Sequence, residues 1–185
     1  QNLSAFKLSG VDFQADWGLP LTAFGASEAA GDLAFRLLMT RLLEVEQQDT
    51  ITDPFIPREG TISQTVASAY PDLKASFSTA YSWSDFLFRW NMRYVSGMDV
   101  VNNNALLTRP INGIRPTTPT YITHDLTARW QATDQLSVTF GINNITDKQP
   151  PIYTTDAQAG IQANTDPSTY DVLGRRFFLS VGAKF

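Results

Sequence analysis

Apolar and polar residues alternate in segment after segment of this chain. Between 86 and 94 every second residue is large and apolar, and the residues between them include Arg89, Asn91 and Arg93. Successive side chains of a β-strand point to opposite faces of the sheet, so this period of two predicts a strand with one apolar and one polar face. The segment 73–82 alternates in the same way, and the short link between the two segments predicts a hairpin.

The same pattern predicts seven strands in all. One segment also fits a helix, since Phe35, Leu38, Met39 and Leu42 have helical spacing, but its neighbours favour a strand. The parity of the first strand slips near Gly10, which predicts a β-bulge there. The predicted strands cover 11–19, 32–47, 73–82, 86–94, 125–132, 136–143 and 177–185.

The links between the strands differ systematically in length. Short links follow Tyr81 and Ala132, and a medium link spans 20–31. Long links rich in Pro, Asn, Thr and Gly cover 49–70, 97–120 and 146–169. Long loops on one side and short turns on the other are typical of transmembrane β-barrels, which usually close with an even number of strands. The predicted fold is therefore all-β: an antiparallel transmembrane β-barrel segment of about seven strands, an incomplete part of a larger barrel.

Aromatic residues near the strand ends favour the membrane interpretation. Rings with one polar edge prefer the membrane–water interface and form girdles around transmembrane barrels. The residues predicted to form these girdles are Trp17, Tyr81, Trp83, Tyr94, Tyr121 and Trp130. The same alternation also fits a soluble sandwich or lipocalin-like barrel, in which the apolar face points inward, so periodicity alone leaves that alternative open.

Composition narrows the possible functions. Charged residues make up 17% of the chain, against ~25% in an average soluble domain. The net charge of -4 provides no basic surface for phosphate backbones, so nucleic acid is excluded as an expected partner. The chain has no Cys, which removes disulfides and thiolate sites. No run approaches ~18 consecutive apolar residues, so a membrane-bound form would cross the bilayer with strands.

The last third of the chain contains two polar motifs and ends on an aromatic residue. The motif positions are Asn144, Asp147, Tyr170, Asp171, Gly174, Arg175, Phe177 and Phe185. The stretch from His124 to Phe185 resembles the C-terminal end of TonB-dependent outer-membrane receptors, with an Asn-Leu-Phe-Asp box and a Tyr-Asp-x-x-Gly-Arg-x-Phe box. The first box departs from that pattern at its two central positions, Ile145 and Thr146, whereas the second is intact. Gly10-Val11-Asp12 is also similar to a strand start of that family.

This resemblance implies a part of a receptor. In the family a barrel of about twenty-two strands surrounds an N-terminal plug, and an inner-membrane complex pulls on a segment ahead of the plug to admit a scarce nutrient. Residues 1–185 are expected to be the C-terminal portion of such a barrel, without the plug, and to transport nothing alone. The implied partners are outer-membrane lipid of a Gram-negative bacterium, the rest of the barrel and its plug, the TonB complex, and a small ligand such as an iron chelate, a cofactor or a glycan.

Two groups of side chains are candidates for ligand binding. Arg89, Arg93 and Arg129 lie on predicted polar faces, and a charge inside a membrane is costly unless it faces water or a partner. They are expected to contact ligand in the lumen, or else to pair with one another or with the plug. Tyr121 and Tyr153 lie in or beside long loops, where binding residues gather on a rigid scaffold, although ordinary solvated loop is the alternative.

No catalytic or metal site is predicted, and no cofactor. His124 is the only histidine, so neither a multi-histidine metal site nor a Ser-His-Asp relay has its parts without it. Two other functions remain open from the residues. One is a complete eight-stranded outer-membrane barrel with a structural or adhesive role, for which this length suffices. The other is a soluble β-rich binding module.

Overall fold

The computed structural model describes residues 5–63, 68–101, 117–153 and 164–184. Its strands are β1 (Ala5–Pro20), β2 (Asp32–Gln48), β3 (Ile56–Pro57), β4 (Thr61–Ser63), β5 (Ala69–Tyr70), β6 (Leu73–Trp83), β7 (Phe86–Val95), β8 (Asp99–Val101), β9 (Tyr121–Gln131), β10 (Leu136–Asn143) and β11 (Arg176–Ala183). Two short 3-10 turns, Leu21–Phe24 and Glu28–Ala30, lie between β1 and β2.

Seven long strands form one antiparallel sheet in the order β1-β2-β6-β7-β9-β10-β11, and β3 adds to β2. Each long strand pairs with its sequence neighbour among the long strands, as the predicted hairpins require. The segment that also fitted a helix is strand β2, so that prediction is confirmed. The described strands do not close into a barrel, because β1 and β11 lie at opposite ends of the order. This is the predicted open barrel segment.

The register separates two faces of the sheet. The row Thr79, Trp90, Leu126 and Ile142 crosses β6, β7, β9 and β10, and the neighbouring row on the first three of these strands is Ser78, Asn91 and Asp125. We call the face with Trp90 the apolar face and the face with Asn91 the polar face. Apolar side chains of the terminal strand are largely exposed, as Phe177, Leu179 and Val181 are 65%, 70% and 61% accessible. The sheet therefore does not bury its apolar face against the described residues.

Stacked rings mark the short-turn end of the apolar face. Phe86 stacks on Trp83 with ring centroids 5.9 Å apart and on Trp130 at 6.2 Å. These contacts support the predicted girdle. The prediction was wrong for Tyr121, which pairs with Val95, lies on the polar face and is only 4% exposed. Its neighbour Ile122 has the outward parity, whereas Tyr121 shares the parity of Asp125 on the same continuous strand and therefore lies on the polar face.

The predicted bulge lies at Gly10. The register of β1 against β2 shifts between Ser9 and Gly10, and the extra residue, Leu43, is on β2. A Cβ at Gly10 would approach the backbone oxygen of Arg41 to 2.8 Å, which explains the glycine. Strand β2 has 17 residues, roughly 55 Å of extended chain, about twice the ~25 Å apolar band of such barrels. Beyond the bulge the outward positions become polar, and Lys7 pairs there with Glu46.

No helix in the described ranges is long and apolar enough to span a membrane.

Candidate functional site

The loops at the long-loop end fold over the top of the polar face. Parts of the predicted loops 49–70 and 97–120 are short strands, and β5, β4 and β8 form a second sheet in that order. The pairing of β4 with β8 is parallel. Residues of this small sheet and of β9 and the β10–β11 loop form a buried group that we call the loop-side cluster: Ile62, Met98, Val100, Tyr121 and Tyr170. The main apolar core of the described chain therefore holds the loops, not the membrane-sized strands.

Asn144 fastens the root of the β10–β11 loop. It is fully buried and has a left-handed backbone, with φ of 50°. Its side-chain amide donates to the carbonyl of Lys148 at 2.9 Å, and its side-chain oxygen accepts from the Lys148 N–H at 2.8 Å. Asparagine tolerates the left-handed backbone better than most residues, and its side-chain amide readily forms hydrogen bonds with nearby backbone groups. We call residues 144–148 the loop root.

The second motif closes onto the first. The Arg175 N–H donates to Oδ1 of Asp147 at 2.9 Å, and the Arg175 guanidinium donates to the carbonyl of Ile145 at 3.3 Å. Gly174 has φ of 70°, and a Cβ there would lie 2.9 Å from the same Asp147 oxygen. The two sequence boxes are thus halves of one hydrogen-bonded structure. This explains the spacing of Asn144, Asp147, Gly174 and Arg175 in physical terms.

Two tyrosines tie the β10–β11 loop to the rest of the cluster. The Tyr121 hydroxyl lies 3.2 Å from the carbonyl oxygen of Lys148 and 3.3 Å from that of Asp171. The Tyr170 hydroxyl donates to Oγ1 of Thr118 at 3.2 Å, and its ring meets that of Tyr121 edge to face at 5.1 Å. Burial raises the pKa of Tyr170, so it remains a neutral donor.

Asp171 and Arg176 join the loop to the start of β11. An Arg176 guanidinium nitrogen lies 2.9 Å from Oδ1 of Asp171, and the Leu173 N–H donates to the same oxygen at 3.0 Å. Burial acts to raise the pKa of Asp171, but these hydrogen bonds and the Arg176 charge outweigh it and hold the pKa below the ordinary value of 3.8. The ionised carboxylate is therefore the form that holds the turn.

This pKa predicts that acid loosens the turn 171–176. A group with a depressed folded-state pKa contributes stability above its unfolded pKa, and that contribution is lost as the pH falls through the folded value. We expect amide exchange at Leu173, corrected for its intrinsic pH dependence, to lose protection below about pH 4. In Asp171→Asn this protection should already be weak at pH 7. A pH-independent protection in the wild type would contradict the role of the carboxylate.

Arg93 lies on the polar face below the loop root. Its guanidinium is 3.2 Å from Oδ2 of Asp125, whose other oxygen accepts the Asn144 N–H at 2.8 Å. One carboxylate therefore joins a lumen-side cation to the loop root. The Arg93 side chain remains half exposed, at 53%, whereas Asp125 is 14% exposed.

Arg89 occupies a different position on the polar face. It lines a depression of about 340 Å³ together with Ser78, Asn91 and the ion pair of Asp16 with Arg36. Arg89 makes no ion pair or hydrogen bond within the described ranges, whereas Arg129 donates to Oε1 of Gln131 at 2.9 Å. A guanidinium is suited to a carboxylate or phosphate, which it grips with two parallel hydrogen bonds.

The structure brings most of the predicted residues into two groups. The loop-side cluster contains Tyr121 and the motif residue Tyr170, with Tyr153 half-buried against it. The hydrogen-bonded network beside it contains the motif residues Asn144, Asp147, Asp171, Gly174 and Arg175. The polar face carries Arg89, Arg93 and Arg129. Phe177 lies on the apolar face, and Phe185 lies outside the described residues. No group of three or more potential metal ligands of the His, Cys, Asp and Glu types occurs in the part of the chain described.

Sequence reasoning missed several members of both groups. Ile62, Met98 and Thr118 lie in segments without periodicity, so nothing in the pattern marked them. Arg36 was identifiable, because its parity on β2 matches that of Asp16 on β1 once the two strands are paired. The sequence alone did not give the register of this hairpin, because the medium link 20–31 that joins β1 and β2 contains two 3-10 turns.

Together the faces, the loop asymmetry and the motif network define a wall of a transmembrane β-barrel. A model of the family described as TonB dependent receptor-like, beta-barrel matches residues 1–145. The chain belongs to this family of TonB-dependent receptor β-barrels.

Two solved structures share the fold of this chain. The chain is similar to a copper transporter, OprC, with 15% identity, a TM-score of 0.59, and coverage of 97% of this chain and 24% of that one. It is also similar to the ferric enterobactin receptor PfeA (mutant G324V) from Pseudomonas aeruginosa, with 16% identity, a TM-score of 0.59, and coverage of 96% and 22%. The chain thus spans about a quarter of these structures. No curated protein matches it in sequence.

Proposed function

We propose that this chain forms part of the barrel of an outer-membrane, TonB-dependent receptor that binds a scarce nutrient and imports it into the periplasm. Members of the family are Gram-negative outer-membrane transporters rather than enzymes. The observation that carries the proposal is the two-faced sheet of a family member: an apolar face that stays exposed, and a polar face that bears Arg89, Arg93 and Arg129. The first suits lipid, and the second suits a wet lumen.

The charges of the polar face on β6, β7 and β9 favour an anionic ligand. On β6, β7 and β9 this face carries Lys74, Arg89, Arg93 and Arg129 against the single carboxylate of Asp125. Such an excess raises the local concentration of anions in a narrow channel. Iron chelates and phosphorylated cofactors carry oxyanions, whereas a neutral glycan does not use this charge. The two similar structures are named as a copper transporter and as a ferric enterobactin receptor. These names differ in ligand, so they do not favour one ligand for this chain.

The partners follow from the family. We propose that the polar face contacts a plug domain and that this plug responds to the TonB complex. Arg89 and Arg93 then face the ligand path between the barrel wall and the plug. Tyr121 is expected to act on ligand only indirectly, because its hydroxyl is occupied by the Lys148 and Asp171 carbonyls. Tyr153 contacts the same buried cluster.

The ligand role of the arginines predicts a loss of affinity in the complete receptor. Removing one charge-assisted contact costs about 1.5–3 kcal/mol, so Arg89→Ala should weaken ligand binding roughly tenfold or more. Arg41→Ala is the matched control, because Arg41 pairs with Val11 on the apolar face. Binding of candidate chelates is measured by titration on purified receptor. Equal affinities for all variants would remove Arg89 from the site.

Uptake by cells tests the proposed function itself. Cells that depend on this receptor should accumulate radiolabelled ferric chelate, and deleting the gene or abolishing the TonB complex should stop accumulation. Accumulation that continues without TonB would contradict energy-coupled import.

A further inference from the structure

The apolar face carries a groove that the proposed transport function does not use. It has a volume of about 450 Å³ and crosses four neighbouring strands, β6, β7, β9 and β10. Its outward-pointing side chains come from two adjacent rows of the register. These are Thr79, Trp90, Leu126 and Ile142 in one row, and Tyr81, Phe88, Ala128 and Phe140 in the other. None of these eight side chains is charged, and the other two lining residues, Arg89 and Thr127, have the opposite parity and belong to the polar face.

A small residue between large rings creates the groove. Ala128 pairs with Phe88 on one side and Phe140 on the other, so a single methyl group lies between two phenyl rings. The rings around it are fixed by neighbours, because Tyr81 stacks on Phe88 at 6.4 Å and Phe140 stacks on Phe177 at 6.5 Å. The depression is therefore bounded by side chains that are held in place, which favours a defined shape.

The position of the groove determines what fills it. It lies on the exposed apolar face, next to the stacked rings of Trp83, Phe86 and Trp130 at the short-turn end. Ala128 is three residues from the end of β9 at Gln131, on that same side. Rings of this kind mark the boundary of the hydrocarbon region, and short turns lie on the periplasmic side of such barrels. The groove thus opens to hydrocarbon in the periplasmic half of the bilayer.

We propose that this groove is a binding site for one acyl chain of a phospholipid from the periplasmic leaflet. This inference rests on the proposed membrane location and is separate from the ligand path on the opposite face. In a bilayer, hydrophobic transfer gives no preference between lipid and protein, so binding arises from packing against a matching shape. The ring-lined depression at Ala128 supplies that shape.

The experiment compares lipid retention by variants of the complete receptor. Receptor is extracted from outer membranes in mild detergent, and co-purifying phospholipid is counted by native mass spectrometry. Ala128→Phe fills the groove, and we expect about tenfold less retained phospholipid, which corresponds to ~1.4 kcal/mol. Ala15→Phe is the control, because it adds the same ring to the apolar face of β1, away from the groove. It should retain phospholipid like the wild type.

Further measurements keep the test decisive. Ala128→Leu adds less volume and serves if the phenylalanine variant does not fold, as judged by heat-modifiable gel mobility. In wild-type receptor, phospholipid with brominated acyl chains should quench Trp90, and this quenching should resist dilution with unlabelled lipid. Equal retention by the Ala128 variants and wild type, equal loss in Ala15→Phe, or a second receptor copy in place of phospholipid would overturn the proposal. Loss of retention without loss of uptake would leave the proposed function intact.

Discussion

Replacing Asn144 with alanine is expected to loosen the loop root, because the side-chain hydrogen bonds that hold Lys148 are lost. Alanine keeps neither side-chain hydrogen bond to Lys148, and it adopts the left-handed backbone less readily. The combined cost is about 3 kcal/mol, from the Lys148 N–H that loses its acceptor, the weaker bonding of the Lys148 carbonyl and the conformational penalty. Amide exchange at Lys148 should accelerate about a hundredfold.

The matched control is Asn143→Ala, one residue earlier. Asn143 lies in β10 opposite Arg176, in extended backbone, and its replacement should leave exchange at Lys148 unchanged. Arg175 provides a remote readout, because its N–H donates to Asp147 and belongs to the second motif. Faster exchange at Arg175 in Asn144→Ala would show that the two motifs fold as one unit. Protection that is the same in Asn144→Ala and Asn143→Ala would refute this role.

Replacing Gly31 with alanine is expected to prevent normal closure of the β1–β2 hairpin. Gly31 has φ of 82° and ψ of -165°, a conformation nearly restricted to glycine, and a Cβ there would collide with the backbone oxygen of Ser82. Its carbonyl also accepts the Leu21 N–H. Backbone strain and the collision each cost about 1–3 kcal/mol, and neither can be relieved by rotating a side chain.

Gly18→Ala separates this effect from a general intolerance of substitution. Gly18 is also in the β1–β2 hairpin, but a Cβ there would meet no atom within 4 Å. Folded receptor in outer membranes is measured by heat-modifiable mobility and by protease resistance. We expect near-normal yield for Gly18→Ala and a severe loss for Gly31→Ala. Equal yields would mean that the structured link between β1 and β2 does not limit folding.

Much of the sheet was predictable from the sequence because the period of two is strong where one face is apolar. The strands at 86–94 and 136–143 were found within a residue or two of their observed bounds. The β2 segment was ambiguous because Leu and Met recur at both helical and strand spacing, and the pairing of Phe35 with Trp17 and Thr79 decides it. Tertiary pairing, not local propensity, made that choice.

The loop-side cluster was not predictable in the same way. Strands β4 and β8 have three residues each and pair in parallel, although they are separated by β5, β6 and β7. Such short segments show no periodicity, and their pairing depends on contacts made far apart in sequence. The prediction that Tyr121 belongs to the girdle was also wrong. Its ring looked interfacial, but register placed it on the polar face, where Tyr170 and the Lys148 carbonyl lie.

The motif was recognised by resemblance, and the structure adds its physical basis. Asp125 accepts the Asn144 N–H and pairs with Arg93, so the lumen side and the loop root share one carboxylate. At the start of β11, Asp147 accepts the Arg175 N–H, and Asp171 pairs with the Arg176 guanidinium. The identity of the ligand does not follow from these residues, because they bind one another. Specificity is expected in groups that keep free donors, of which Arg89 is the clearest on the polar face.

Cysteine accessibility tests the two-faced wall most directly. The chain has no cysteine, so single substitutions give unambiguous labels in a receptor whose other cysteines, if any, are removed. Leu126 and Thr127 are neighbours in β9 that point to the apolar and polar faces, pairing with Trp90 and Arg89 respectively. In outer membranes, Thr127→Cys should react with a small water-soluble maleimide, whereas Leu126→Cys should be protected until detergent and denaturant are added. Equal labelling of both variants in intact membranes would contradict the assignment of one face to lipid and the other to the lumen.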